Sequence, residues 1–153
     1  MTAALLALAR ARGLRIATAE SCTGGLISAA LTEVAGSSDV FDRGFVTYSN
    51  AAKIAMLGVT PQALAEFGAV SEQVAAQMAA GALARADAGL AVSVTGIAGP
   101  GASEFKPEGR VCFGLAQTGG VVVETVEFGA IGRAEVRRAT VAHALLLLHR
   151  ALA

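Results

Sequence analysis

"ALARARGLRIATAES", residues 7–21, and "ALARADAGLAVSVTG", residues 82–96, follow one plan. Each reads as the end of a helix, a glycine, and an apolar strand running into a loop of small residues. Alanine-rich segments resemble each other by chance, so a duplication is not inferred. The geometric consequence is stronger. Two such strands lying side by side in parallel send both loops out at one carboxyl edge, where open α/β sheets bind their ligands.

Working outward, residues 3–12 read as a helix capped by Thr2 and stopped by Gly13. Residues 14–18 form a short strand, and 25–34 carry helical spacing. A loop over 35–42 leads to a strand at 43–49. Asn50 caps a helix over 51–57, and Gly58 stops it. Thr60 and Pro61 open the next helix in the cap and first-turn positions. Ser71 starts a helix over 72–86, and 90–95 is a buried-type strand. Apolar runs flank Gly119-Gly120, which is a hairpin signal. A last helix runs from Arg133 to the C-terminus. The expected class is α/β, three-layer, a mixed β-sheet with helices on both faces and an antiparallel hairpin at one side. A chain of 153 residues fits one domain, expected over 1–153.

Composition excludes several classes. No apolar run approaches the roughly 20 residues of a membrane span, so no membrane partner is expected. "MTAALLALARARG" places its basic residues after the apolar stretch, the reverse of a signal peptide. The 12 basic and 12 acidic residues balance, whereas nucleic-acid binders carry a basic excess or stripe. Direct nucleic-acid binding is therefore not expected. The one local basic cluster is Arg133, Arg137 and Arg138. Cys22 and Cys112 form no CxxC pair, which argues for a reducing cytoplasm and against a cysteine zinc site. No metal-ligand spacing occurs elsewhere, so the expectation is no metal and no cofactor.

Three loops could carry chemistry. In "TAESCTGG" (18–25) the glycines turn the chain tightly, and the following helix points free N–H groups at the loop. Ser21 there could attack a carbonyl while amides near Cys22, Thr23 and Gly24 hold the oxyanion. The same residues also suit a plain capping turn. Cys22 is a rival nucleophile, because a helix N-terminus lowers a thiol pKa, but free cysteine is commonly a small buried hydrophobe. A serine nucleophile needs a base. The two histidines, His143 and His149, both lie on the last helix and give no convincing Ser-His-Asp set. Lysine, sometimes with tyrosine, is the other solution. "TYSNAAK" sets Tyr48 at a strand end and Lys53 in the next helix. Lys53 could equally be a solvated helix lysine. In "TGIAGPGASEFKPEG" (95–109), Gly96, Gly99 and Gly101 can bring main-chain amides close to a phosphate or a ring, although the spacing fits no dinucleotide or P-loop pattern.

Together, "TAESCTGG", "GFVTYSNAAK" followed by "LGV", "GAVSEQVAAQMAAGA", and "AVSVTGIAGPGA" with "KPEGRV" closely resemble the CinA C-terminal domain family, from about residue 3 to 150. The resemblance implies hydrolysis of the carboxamide of nicotinamide mononucleotide to nicotinate mononucleotide and ammonia, in NAD salvage, without metal. It maps the nucleophile onto Ser21 and its supporting pair onto Tyr48 and Lys53. Thr95, Gly96 and Gly99 fall in the second active-site segment, and a substrate arginine falls at Arg133 or Arg137. The implied partner is a small nucleotide, and a homo-oligomer is expected. This chain reads "GPGA" where relatives often read "GPGG". The alternative reading is a non-catalytic nucleotide-binding module, or a competence or DNA-damage partner module.

Overall fold

The computed structural model describes residues 1–153. Strands β1 (Ile16–Glu20), β2 (Phe41–Val46), β3 (Leu90–Gly96), β4 (Arg110–Gln117) and β5 (Gly120–Glu127) form one sheet. Their order is β2-β1-β3-β4-β5. β1 pairs in parallel with both β2 and β3, and Glu20 stands opposite Val94. β3, β4 and β5 run antiparallel to one another, with the hairpin at the sheet edge. Helices α1 (Thr2–Ala11), α2 (Leu26–Thr32), α3 (Asn50–Leu57), α4 (Pro61–Phe67), α5 (Glu72–Arg85) and α6 (Arg133–Leu152) complete the chain. The architecture is the mixed α/β sheet expected from the sequence, and β1 and β3 meet the condition of parallel adjacency, so their loops leave at one edge.

The two faces of the sheet differ in side-chain size. Ile16, Leu90, Val92, Val94 and Phe113 face α1, α2 and α6, where they meet Leu5, Leu6, Ile27, Leu31 and Leu148. Ala17, Ala19, Ala91 and Ala116 face α3 and α5, where they meet Leu57, Val74 and Met78. Alternation along each strand sets this division. Small residues on the second face let α5 approach closely. Ser93 Oγ donates to Ala75 O at 2.6 Å, and a Cβ on Gly114 would lie 2.6 Å from that same carbonyl.

Local details differ from the sequence reading. Met1, not Thr2, is the N-cap of α1, and Thr2 is already helical. β1 begins and ends two residues later than expected, which brings Glu20 inside the strand. β2 starts at Phe41, directly after a 3-10 turn at Ser37–Asp39. Ser49, not Asn50, caps α3, its hydroxyl accepting from Ala52 N at 3.0 Å. Its extended backbone lets the short side chain reach that amide. Thr60 and Ser71 cap α4 and α5 as expected. No helix is long and apolar enough to cross a membrane.

Gly81 offers a test of the close packing. Helix propensity alone favours Gly81→Ala by about 1 kcal/mol. A Cβ there would fall 2.0 Å from Leu57 O, a backbone atom that cannot rotate away. The expected result is the opposite sign, a loss of about 1–3 kcal/mol in urea denaturation.

Candidate active site

Glu20, the last residue of β1, points toward α2 by strand alternation and is fully buried. Its two oxygens accept from Thr23 Oγ1 at 2.6 Å, from Ser28 Oγ at 2.8 Å, and from the amides of Gly25 (3.2 Å), Ile27 (2.9 Å) and Ser28 (2.9 Å). The carboxyl group thus takes up the otherwise unpaired N–H groups at the start of α2, where negative charge is favoured. Gly24 and Gly25, at φ 57° and 106°, give the turn its left-handed path.

The main chain of Glu20 fixes the other side of the site. Glu20 O accepts from Thr47 N at 2.8 Å, so the loop after β2 stays pinned beside β1. Thr47 O in turn accepts from Lys53 Nζ at 2.9 Å, and the same Nζ donates to Ser21 Oγ at 3.0 Å. Lys53 lies on the inner face of α3, one turn before the buried Leu57, and is only 1% exposed. Burial holds its pKa below the usual lysine value, while Cys22 and the Glu104 carboxylate oppose that shift.

Cys22 is turned inward. Burial pushes its thiol up to about 12, against the opposing influence of Arg137 and Lys53. At neutral pH the thiol is then protonated. The side chain that meets Lys53 is Ser21.

A cavity of about 360 Å³ opens at the carboxyl ends of β1 and β3, where chain connections diverge to opposite sides of β1. Ser21, Cys22, Tyr48, Lys53, Thr95, Gly96, Gly99 and Arg133 all line it. Thr95 Oγ1 donates to Ala69 O at 2.9 Å, which ties the end of β3 to the α4–α5 loop. Tyr48 Oη accepts from Arg133 Nη2 at 2.8 Å, and Arg133 Nη1 donates to Gly99 O at 2.7 Å. No hydrogen bond joins Tyr48 to Ser21 or Lys53; its phenol belongs to the Arg133 wall.

Three residues singled out from sequence lie behind this lining. Thr23 turns its hydroxyl to Glu20, and the Gly24 amide donates to Ser21 O at 3.1 Å. Arg137 donates from Nε to Cys22 O at 3.1 Å and from Nη2 to Thr23 O at 3.3 Å. Of the two arginines left open by sequence, Arg133 reaches the cavity and Arg137 braces the loop. The amides of Cys22 and Thr23 donate to no main-chain acceptor. Asn50 and Glu104 also line the cavity; sequence reasoning took Asn50 only for a helix cap and did not single out Glu104. It missed Glu20 as well; the signal was an acid closing an apolar strand just before a glycine pair at a helix start.

Chemically, the site pairs a hydroxyl with a buried amine at proton-transfer distance, beside glycine-rich backbone and one arginine. Such a set suits nucleophilic acyl transfer. No group of three His, Cys, Asp or Glu side chains is placed to hold a metal ion.

Comparison with known proteins shows what the chain is similar to. The family model for the CinA C-terminal domain matches residues 1–152. Nicotinamide-nucleotide amidohydrolase PncC of Escherichia coli strain K12 is 51% identical over 140 residues, covering 91% of this chain and 85% of that protein. A CinA-like protein of Chloroherpeton thalassium is 59% identical over 110 residues, covering 71% of this chain but only 26% of that longer protein. Among solved structures, the competence/damage inducible protein CihA from Agrobacterium tumefaciens superposes with a TM-score of 0.94 at 54% identity, covering 99% of this chain and 92% of the other. A CinA superfamily protein from Klebsiella pneumoniae 700603 gives 0.95 at 36% identity, covering 99% and 94%.

The carboxylate of Glu20 can be tested directly. Glu20→Gln replaces one acceptor oxygen with an NH₂ that faces donors. Hydrogen bonds to a charged group contribute about 1.5–3 kcal/mol each, so the variant is expected to lose about 3 kcal/mol or more in urea denaturation. Unchanged stability would show that the loop holds its shape without this acceptor.

Proposed function

The chain belongs to the CinA C-terminal domain family, and we propose that it hydrolyses the carboxamide of nicotinamide mononucleotide to nicotinate mononucleotide and ammonia, within NAD salvage. The observation that carries this reading is Lys53 Nζ, buried and 3.0 Å from Ser21 Oγ on the cavity wall. The high identity to an amidohydrolase of nicotinamide nucleotides supports the substrate.

In the proposed cycle, neutral Lys53 accepts the Ser21 proton while Thr47 O holds its Nζ in place. Ser21 Oγ attacks the carboxamide carbon. The Cys22 amide, next to the nucleophile, receives the oxyanion, with the Thr23 amide as a second donor. Lys53 returns the proton to the departing nitrogen, which leaves as ammonia. A water, deprotonated by Lys53, then cleaves the acyl-serine ester and releases the acid. Arg133 supplies a charge-assisted anchor for the phosphate, and remote anchoring of this kind orients the reacting group. Tyr48 supports Arg133. Arg137, with Thr23 and Gly24, holds the nucleophile loop in shape. Thr95, Gly96 and Gly99 also line the cavity. No step uses a metal.

Ammonia release from nicotinamide mononucleotide is the direct test. Wild-type protein is expected to turn it over equally well with and without EDTA. Ser21→Ala should abolish release, and Cys22→Ala should retain most of it. Loss of turnover on thiol modification, with Ser21→Ala still active, would transfer the nucleophile to Cys22.

The lowered Lys53 pKa sets the pH dependence. Only the neutral amine can accept a proton, so the rate should rise with pH through that pKa and then level off. Between it and the usual lysine value of 10.5, the unfolded chain binds more protons than the folded one, so stability also rises with pH across that window. Lys53→Met should abolish this contribution, keep the fold, and slow turnover by about 10²–10⁴. A near-wild-type rate in this variant would remove Lys53 from the base role.

A further inference from the structure

One carboxylate in the cavity wall has no part in the cycle above. Ser103 and Lys106 close a two-residue turn by exchanging main-chain hydrogen bonds at 3.1 and 2.8 Å. Glu104 and Phe105 at its tip take φ values of 52° and 63°. Turns of this kind favour asparagine and glycine, because both central residues need positive φ. Here a glutamate and a phenylalanine accept the strain, about 1–2 kcal/mol for each residue. The Phe105 ring is fully exposed, so its packing does not offset that cost. Strain kept beside a cavity points to a functional placement.

The turn is fastened from beneath. Lys106 Nζ donates to Phe67 O and to Val70 O, both at 2.5 Å. This seats the Glu104 carboxylate over Gly68, where a Cβ would lie 2.2 Å from Glu104 Oε2. Gly68 has none, and its φ of 79° suits glycine. The carboxylate enters no direct ion pair, and the Lys106 ammonium is its near neighbour, 2.9 Å from the same Cβ position. Glu104 lines the cavity, and it is the one acidic side chain to do so. Its field reaches Lys53, whose charged form it favours. Arg133 belongs to a different wall, held by Tyr48 and Gly99. The cavity therefore offers an anion on the Gly68 side and a cation on the Tyr48 side.

We propose that Glu104 is a specificity-determining residue that recognises the positive charge of an N-substituted pyridinium ring, while Arg133 takes the phosphate of the same molecule. This rests on the mononucleotide reading above. The substrate is a zwitterion whose ring nitrogen is cationic and whose phosphate is anionic. A carboxylate in the wall favours that ring over an uncharged one of the same shape. Lys106 positions Glu104 and touches no substrate.

The test compares two ligands that differ in ring charge: nicotinamide mononucleotide and its 1,4-dihydropyridine form. Both keep the ribose, phosphate and carboxamide. Binding is measured by calorimetry on the full chain carrying Ser21→Ala, so turnover does not intervene. Adding Glu104→Gln should weaken the pyridinium ligand roughly three- to tenfold and leave the dihydropyridine ligand unchanged, as expected for a partly exposed charge pair. Adding Arg133→Met should weaken both ligands alike, because both carry the phosphate. Equal weakening of both ligands by Glu104→Gln would make the residue a general support of the loop and overturn the proposal. No change in either ligand, or no binding of the pyridinium ligand to the Ser21→Ala protein, would overturn it too. Ammonia release by wild-type protein decides the hydrolytic reading separately: binding selectivity without release sinks that reading and leaves charge recognition standing.

Discussion

The buried carboxylate of Glu20 is the contact on which the site depends. Its side chain gathers five donors from Thr23, Gly25, Ile27 and Ser28, while its main-chain oxygen holds Thr47. One residue thereby joins the start of α2, the Ser21 turn and the loop that orients Lys53. Burying an acid is unfavourable unless every lone-pair direction finds a donor. Here the helix start supplies donors that would otherwise be unpaired, so two liabilities cancel. Ser21 is left at the mouth of the turn, with its amide tied to Val94 O at 3.1 Å.

Lys53 illustrates the opposite bargain. Its amine is buried with two acceptors, Ser21 Oγ and Thr47 O, and no carboxylate within ion-pair distance. Removal from water disfavours the ammonium form, which serves a base better than a structural cation. The same burial has the opposite effect on Cys22, whose thiol is pushed up to about 12. A single dry environment thus activates the amine and silences the neighbouring sulfur. Of the two neighbouring side chains, it is Ser21 whose hydroxyl faces Nζ.

The unequal faces of the sheet make this arrangement possible. Bulky residues on the α1, α2 and α6 face fill the larger core, while alanines and Ser93 on the other allow α5 to sit almost on the strands. α3 then packs against α5, with Leu57 O close above Gly81. This contact carries Lys53 inward toward the end of β1. An ordinary helix glycine and a run of alanines, weak signals locally, therefore set how far Lys53 reaches.

Much of this was legible in the chain. The helix–glycine–strand segments could be read as elements, because periodicity and turn residues are local properties; that their strands lie side by side in parallel is a fact of the sheet. The glycine pair at 119–120 marked the hairpin for the same reason, and Thr60, Pro61 and Ser71 marked helix starts. Ser21, Lys53 and the glycine-rich loop could be picked out as chemistry in search of partners. Their distances could not, because Ser21 and Lys53 are 32 residues apart and meet only through α3 packing on the sheet. Sequence left Arg133 and Arg137 as equals, because both lie near the start of one helix. The structure separates them, since one turn of α6 carries Arg133 to the cavity and Arg137 to the carbonyls behind the loop. Glu20 and Glu104 passed unnoticed, since a carboxylate reveals its role only through what surrounds it. The sequence by itself determined the elements and the chemical groups; tertiary packing decided which groups are dry, which are paired, and which face the same 360 Å³ of space.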